Sequence, residues 1–171
     1  MKKIIGFTPV LLLFVTLLSS CKKDAASSAS NETVPSGKSS IKCDYSGAAS
    51  GNFSSSLSLS TCLKSSSLIN VSGGAMSGTA VSQALLILPA DIAVGTHTQG
   101  TDGTADGITF TLSINNGTQA WSVDGATATG FSVNVTRNDA TGIEGTFSGQ
   151  LGNDTDGTVV SLSNASFKGT F

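Results

Sequence analysis

The sequence is poor in charge: only 12% of its 171 residues are Asp, Glu, Lys or Arg. It has one histidine (His97), one tryptophan (Trp121), one tyrosine (Tyr45) and three prolines. Each scarcity removes a class of function. A Ser-His-Asp triad would have to use His97 as its base, and no G-x-S-x-G elbow accompanies it. His97 therefore reads as a loop or strand-end histidine. With no C-x-x-C pair and a single histidine, the ligands of a structural zinc site are missing, and no cofactor is expected. From Ile41 onward there are four basic and nine acidic residues, a net charge of −5. Such a surface does not suit nucleic acid, whose phosphates need a basic footprint. No window keeps helical spacing for three turns. Beyond the N-terminal segment the longest apolar run is "ALLILPA" (84–90), far short of the ~20 residues of a membrane-spanning helix.

The start of the chain is different. Lys2 and Lys3 precede an apolar stretch from Ile4 to Leu18. A basic n-region followed by a short apolar h-region is the pattern of a secretory signal peptide. It ends in Leu18-Ser19-Ser20-Cys21, which resembles the bacterial lipobox. That resemblance implies removal of residues 1–20 and a diacylglycerol on the Cys21 thiol; the alternative is an ordinary signal with a chance cysteine. Each buried methylene contributes about 0.8 kcal/mol, so two or more acyl chains hold firmly where one does not. The mature chain is expected to be anchored to a membrane without spanning it.

Residues 25–40 are mostly Ala, Ser, Asn and Lys, without aromatic residues or apolar periodicity. With Cys21 they read as a lipidated, flexible tether over 21–40, leaving one domain over 41–171. The lipobox takes one of three cysteines. Cys43 and Cys62 remain in a chain bound for an oxidising compartment, where pairing is the default. The expectation is a Cys43–Cys62 disulfide, closing a loop worth about 3 kcal/mol on the chain-entropy account.

The dominant pattern in the domain has period two. Phe53, Ser55, Leu57, Leu59 and Thr61 share one face of "FSSSLSLSTC". Ile108, Phe110, Leu112 and Ile114 alternate with Thr and Ser, as do Phe131, Val133 and Val135. Ile143, Gly145, Phe147, Gly149 and Leu151 alternate likewise; after Val160 and Leu162 the phase slips, to resume at Phe167, Gly169 and Phe171. Strict alternation marks half-buried strands. Gly-, Asn- and Asp-rich turns fall between them, at 72–74, 101–107, 115–117, 123–125 and 153–157. The fold class expected is all-β, an antiparallel sandwich or barrel-like sandwich of about 8–10 short strands. Residues 88–98 read as an irregular connection after Pro89 ends a strand. Phe110 and Phe147 are the leading core aromatics. Trp121 reads as a packing residue, with stacking against a sugar ring as the alternative; it is the candidate ligand contact.

"TGIEGTFSGQL" followed by a turn and "VVSLSNASFKGTF" resembles the ending of a family of small Bacteroidota lipoproteins of unknown function, in which I-x-G-T-F-S leads through a hairpin to V-x-I-T-N-G-x-F. "LILPADIAVGTHT" is similar to an upstream segment of that family, with His97 where tyrosine is common and Ala165 where glycine is common. The similarity spans roughly residues 68–171 and implies a fold, not an activity. "CKKD" (21–24) likewise resembles, in part, the surface-export signals of such lipoproteins. The location implied is the outer membrane, on the cell surface or alternatively on its periplasmic face.

Chemistry-bearing motifs are thin. Asp154 and Asp156 in "NDTDGT", and Asp102 in "TDGTADG", are weak calcium candidates without the bidentate Glu that completes such loops. Glu144 with an aspartate could form the carboxylate pair of a glycoside hydrolase, but most aspartates sit beside glycine as turn formers. No catalytic residue is assigned. The expected function is a non-enzymatic binding or accessory module for a glycan or an envelope or host protein. The alternatives are a structural envelope protein without a ligand and, less favoured, a carboxylate-dependent hydrolase.

Overall fold

The computed structural model describes residues 33–98 and 107–171. Cys21, the segment before it, most of the tether and Asp102 lie outside these residues. The described residues form eleven strands: β1 (Ser39–Gly47), β2 (Gly51–Ser54), β3 (Ser56–Lys64), β4 (Leu68–Ser77), β5 (Ala80–Pro89), β6 (Gly95–Thr98), β7 (Thr109–Ile114), β8 (Gln119–Ser122), β9 (Ser132–Asn138), β10 (Gly142–Gly152) and β11 (Val159–Thr170). All pairings are antiparallel, in the order β2-β1-β11-β10-β8-β7-β5-β4-β3. β10 carries a second neighbour: β9 pairs along its residues 143–148 and β6 pairs with β9. The sheet curls until it nearly closes, so the all-β expectation holds in its barrel-like form.

The strands form where the sequence alternates. Phe110, Leu112 and Ile114 point into the barrel, and Thr109, Thr111 and Ser113 lie half-exposed outside. β5 departs from this rule. Ala84, Leu86 and Leu88 are buried inside, but Leu85 and Ile87 put aliphatic groups on its outer face as well. β4 and β5 are joined by a two-residue loop, Gly78–Thr79, between the paired residues Ser77 and Ala80. Gly78 has φ 61°, the conformation that a type II′ hairpin turn needs at its first central position.

The phase slip in β11 has a physical cause. Phe147 pairs with Ala165 and Gly149 with Leu162, so β11 holds one extra residue against β10; it does the same against β1 between Lys42 and Asp44. Asn164, at φ 49°, takes up this bulge, and its Nδ2 donates to Asp44 Oδ2 at 2.8 Å. Asparagine tolerates the left-handed conformation better than most residues, so Ala165 is free to be alanine and points inward.

Four expectations need correction here. The turn read at 72–74 lies inside β4, which runs on to Ser77. The alternation read through 53–61 breaks after Leu57: β3 pairs Ser56 with Gly74 but Ser60 with Gly73. Ser60 and Cys62 then point inward, and Leu59 is exposed. The segment 88–98 is not wholly irregular, since β6 occupies its end. The fold begins before residue 41, the expected start of the domain. Val34 is buried, Gly37 N–H donates to Thr170 O at 2.8 Å, and β1 starts at Ser39.

The last gap in the barrel, between β1 and β3–β4, is closed by serines rather than by a ladder. Ser39, Ser40, Ser55 and Ser60 are the buried polar residues among those described. Ile41 N–H donates to Ser55 Oγ at 2.9 Å, Ser39 N–H to Ser60 Oγ at 3.3 Å, and Ser39 Oγ–H reaches the Thr61 carbonyl at 3.0 Å and that of Ser72. A small hydroxyl donates and accepts at once, so it satisfies backbone groups that have no strand partner.

The barrel has two distinct ends. β1 runs from Ser39 to Gly47 while β4 runs from Leu68 to Ser77. Val34, Gly37, Thr170 and the β3–β4 turn lie at one end, which we call the foot. Gly51, Ser77 and Asn115 lie at the other, the mouth, about 30 Å away at ~3.3 Å per strand residue.

Candidate functional site

At the mouth, above the point where the chain crosses from β2 into β3, the sheet leaves a cleft of about 530 Å3. Its walls are the β1–β2 hairpin, the β4–β5 hairpin and the β7–β8 turn. Tyr45 supplies an aromatic ring, Met76 and Ile114 supply apolar surface, and Asn52, Ser82 and Asn115 supply amides and a hydroxyl. Gly51, opposite Tyr45 in the ladder, has no side chain, and a Cβ there would lie 2.6 Å from the tyrosine oxygen. The ring can therefore lie flat across the hairpin. Asn115 and Asn116 have φ 51° and 60°. Asn116 ties two walls together, because its N–H donates to Val81 O at 2.7 Å and its Oδ1 accepts Val81 N–H at 2.7 Å.

Among the described residues, no Asp, Glu, His, Lys, Arg or Cys lines this cleft. Its donors and acceptors are neutral amides and hydroxyls beside apolar surface. Such a lining can orient a ligand by hydrogen bonds and cover it by stacking and dispersion.

The residues singled out in the sequence lie elsewhere. Trp121 is 1% exposed, in the core, and its Nε1–H donates to Thr158 Oγ1 at 3.1 Å. The sugar-stacking alternative for Trp121 is thereby overturned: opposite Leu112 in the ladder, the indole points into the barrel. Asp154 and Asp156 are turn residues. Asp154 Oδ1 accepts Ala126 N–H at 2.8 Å, and Asp156 Oδ1 accepts the Thr158 N–H at 2.9 Å and hydroxyl at 2.6 Å. The Thr158 bonds hold the Asp156 carboxyl below its ordinary range. Neither carboxylate joins a group of three His, Cys, Asp or Glu residues able to hold a metal, among the described residues. His97 sits on β6, its Nε2 2.8 Å from the Ala93 carbonyl.

The expected Cys43–Cys62 disulfide is also overturned. Both residues are free, buried thiols. Cys62 lies at the foot, its N–H donating to Gly37 O at 3.0 Å and its Sγ facing Gly169. Cys43 is four residues along β1 from Ser39, opposite Phe53, which sets it higher in the core by about 13 Å. A disulfide needs Cα atoms about 4.4–6.8 Å apart. Burial, with Asp44 nearby, pushes the Cys43 thiol up to about 12, and burial pushes Cys62 up to about 11. Both are therefore poor nucleophiles at neutral pH.

Glu144 is not half of a carboxylate pair. Its Oε1 accepts Arg137 at 2.7 Å and Lys168 at 3.4 Å. Arg137 also binds Asp139 at 2.7 Å, and Asp139 Oδ1 accepts the N–H groups of Thr141 and Gly142 across the β9–β10 turn. Arg137, and then Thr141, hold the Asp139 carboxyl well below the usual carboxylate range. A carboxyl depressed in the folded state contributes stability above its unfolded pKa of ~3.9 and loses it as pH falls below that value. Acid unfolding of an Asp139→Asn variant is therefore expected to show a shallower loss of stability below about pH 4 than the parent chain. Equal slopes in the two proteins would refute a contribution from Asp139.

The cleft residues went unmarked in the sequence because Tyr45, Met76 and Asn115 come from three separate hairpins. The only local sign is the "NNG" turn at 115–117. Compared with protein-family models, with curated proteins and with solved structures, the chain gives no match.

Proposed function

We propose that this chain is an outer-membrane lipoprotein, anchored through Cys21, that acts as a non-enzymatic binding module. Its mouth cleft takes an uncharged saccharide. The observation that carries this reading is the neutral lining of the cleft, a tyrosine ring with amides and hydroxyls around it and, among the described residues, no carboxylate, histidine or basic side chain. Neutral sugars are recognised by that combination of a stacking face and short hydrogen bonds. The topology supports the same reading, since the cleft opens at the end opposite the point where the tether enters the fold. A domain hung from the membrane at its foot presents its mouth outward.

The test is a glycan array probed with the purified protein at low and high salt. Binding to neutral glycans that does not change with salt is expected. Tyr45→Phe or Asn52→Ala should each weaken it about tenfold, the effect of one lost hydrogen bond of ~1–1.5 kcal/mol. Binding confined to sulfated or acidic glycans, or none to any, would refute the saccharide reading. The anchor is tested separately, by the mass of the N-terminal peptide: an unacylated Cys21 rules it out. Protease treatment of intact cells then distinguishes the outer surface from the periplasmic face.

A further inference from the structure

We propose that the foot of the barrel carries a second contact surface, the outer face of the β3–β4 hairpin, which rests on the lipid bilayer. This rests on the anchor at Cys21 but not on the saccharide cleft. Leu63 and Leu68 are 64% and 45% exposed. Leu63 stands opposite Asn70, and Leu68 precedes Asn70 by two residues, so both leucines lie on one outer face as diagonal neighbours. On the far side Ile87 pairs with Asn70 and Pro89 with Leu68. Four apolar side chains thus surround Asn70 on a sheet whose outer face next door, on β7, is Thr and Ser. A contiguous exposed apolar patch marks a contact.

Its position names the partner. Cys62 N–H donates to Gly37 O, so the chain enters the fold beside Leu63. Twelve residues separate Cys21 from Val34, a length with a mean span of roughly 20 Å. A domain held that close meets the bilayer at high effective concentration.

The hairpin is also chemically suited to shallow insertion, because open backbone groups are disfavoured where acyl chains replace water. Its turn, Ser65–Leu68, satisfies itself. Ser65 N–H donates to Leu68 O at 2.8 Å, and Ser65 Oγ accepts the N–H of Leu68 at 3.0 Å and of Ser67 at 3.3 Å. Beside it Lys64 keeps its ammonium above the Phe171 ring, 4.9 Å from the centroid, and donates to Asn138 Oδ1. The exposed Asp91 follows Ala90, whose N–H bonds Ser67 O. With acidic and basic groups both present and a domain charge of −5, apolar insertion rather than attraction to anionic lipid drives the contact.

The test reconstitutes protein purified from membranes into phosphatidylcholine vesicles with brominated acyl chains, which quench tryptophan only near contact. Trp121, buried in the core, gives a constant background. A Ser66→Trp chain should be quenched several-fold more than a Thr79→Trp chain, which reports from the mouth. Adding Leu63→Asp and Leu68→Asp to Ser66→Trp should abolish the difference. These leucines are exposed, so a native circular dichroism spectrum is expected to persist. Vesicle-bound protein with equal quenching at both positions overturns the docking while the anchor stands. Protein that does not remain with the vesicles overturns both. Cross-linking of two copies through the hairpin would assign the patch to a second copy instead.

Discussion

Replacing Phe147 by alanine is expected to remove about 3–5 kcal/mol of stability, a large share of the ~5–15 kcal/mol that holds a domain of this size. Phe147 is the hub of the aromatic core. Its ring centroid lies 4.7 Å from that of Phe110, 6.1 Å from Phe131 and 6.3 Å from Phe167. These rings come from β7, the residue before β9, β10 and β11, so one side chain joins elements distant in sequence. Truncation loses the transfer free energy of the ring and leaves a cavity that rigid neighbours cannot fill. Phe147→Leu keeps much of the volume and should cost about 1–2 kcal/mol. Urea unfolding at constant m reads both changes. If the alanine variant loses less than the leucine variant, the hub assignment is wrong.

Gly145→Ala should be nearly as damaging, although it adds only a methyl group. A Cβ at Gly145 would lie 2.4 Å from the Asn134 carbonyl oxygen and 2.7 Å from two atoms of the Phe167 ring. The carbonyl belongs to the β9 backbone and cannot turn aside, and Phe167, paired opposite Gly145, is part of the core. Overpacking of this kind costs about 1–3 kcal/mol, and two fixed neighbours put it at the upper end. Gly157 is the control. It has φ 69° with nothing within 4 Å of a Cβ, so alanine there meets only backbone strain of about 1–2 kcal/mol. Comparable losses at the two positions would show that the contact at Gly145 relaxes.

These two residues show why much of the fold is legible in the sequence. The "GTF" of β10 puts a glycine under one aromatic ring and places another in the core two residues later. Alternation through Phe110, Val133 and Phe147 followed directly, because a strand with one wet face must alternate. Where alternation failed, a local backbone event intervened. At Asn164 it was a bulge, visible as a slip in phase. Between Leu57 and Ser60 it was a register shift of β3 against β4, and there a run of serines and leucines hides which face is which. The cysteines misled for a different reason: an oxidising compartment favours pairing, but distance along β1 forbids it. The cleft is less legible than any strand. Its residues share no spacing, and they meet only because three hairpins end at the same height.

The foot and the mouth also define a path for mechanical load. Tyr45, in the wall of the cleft, and Val34, at the foot, are separated by ten residues of the same chain. Tension applied at the mouth and resisted at the entry point travels along the covalent backbone of β1. Its hydrogen bonds to β11 run beside that line and share the load in shear rather than opening one after another. A pull that would unzip a barrel gripped by two neighbouring strand ends leaves this one taut along a single strand.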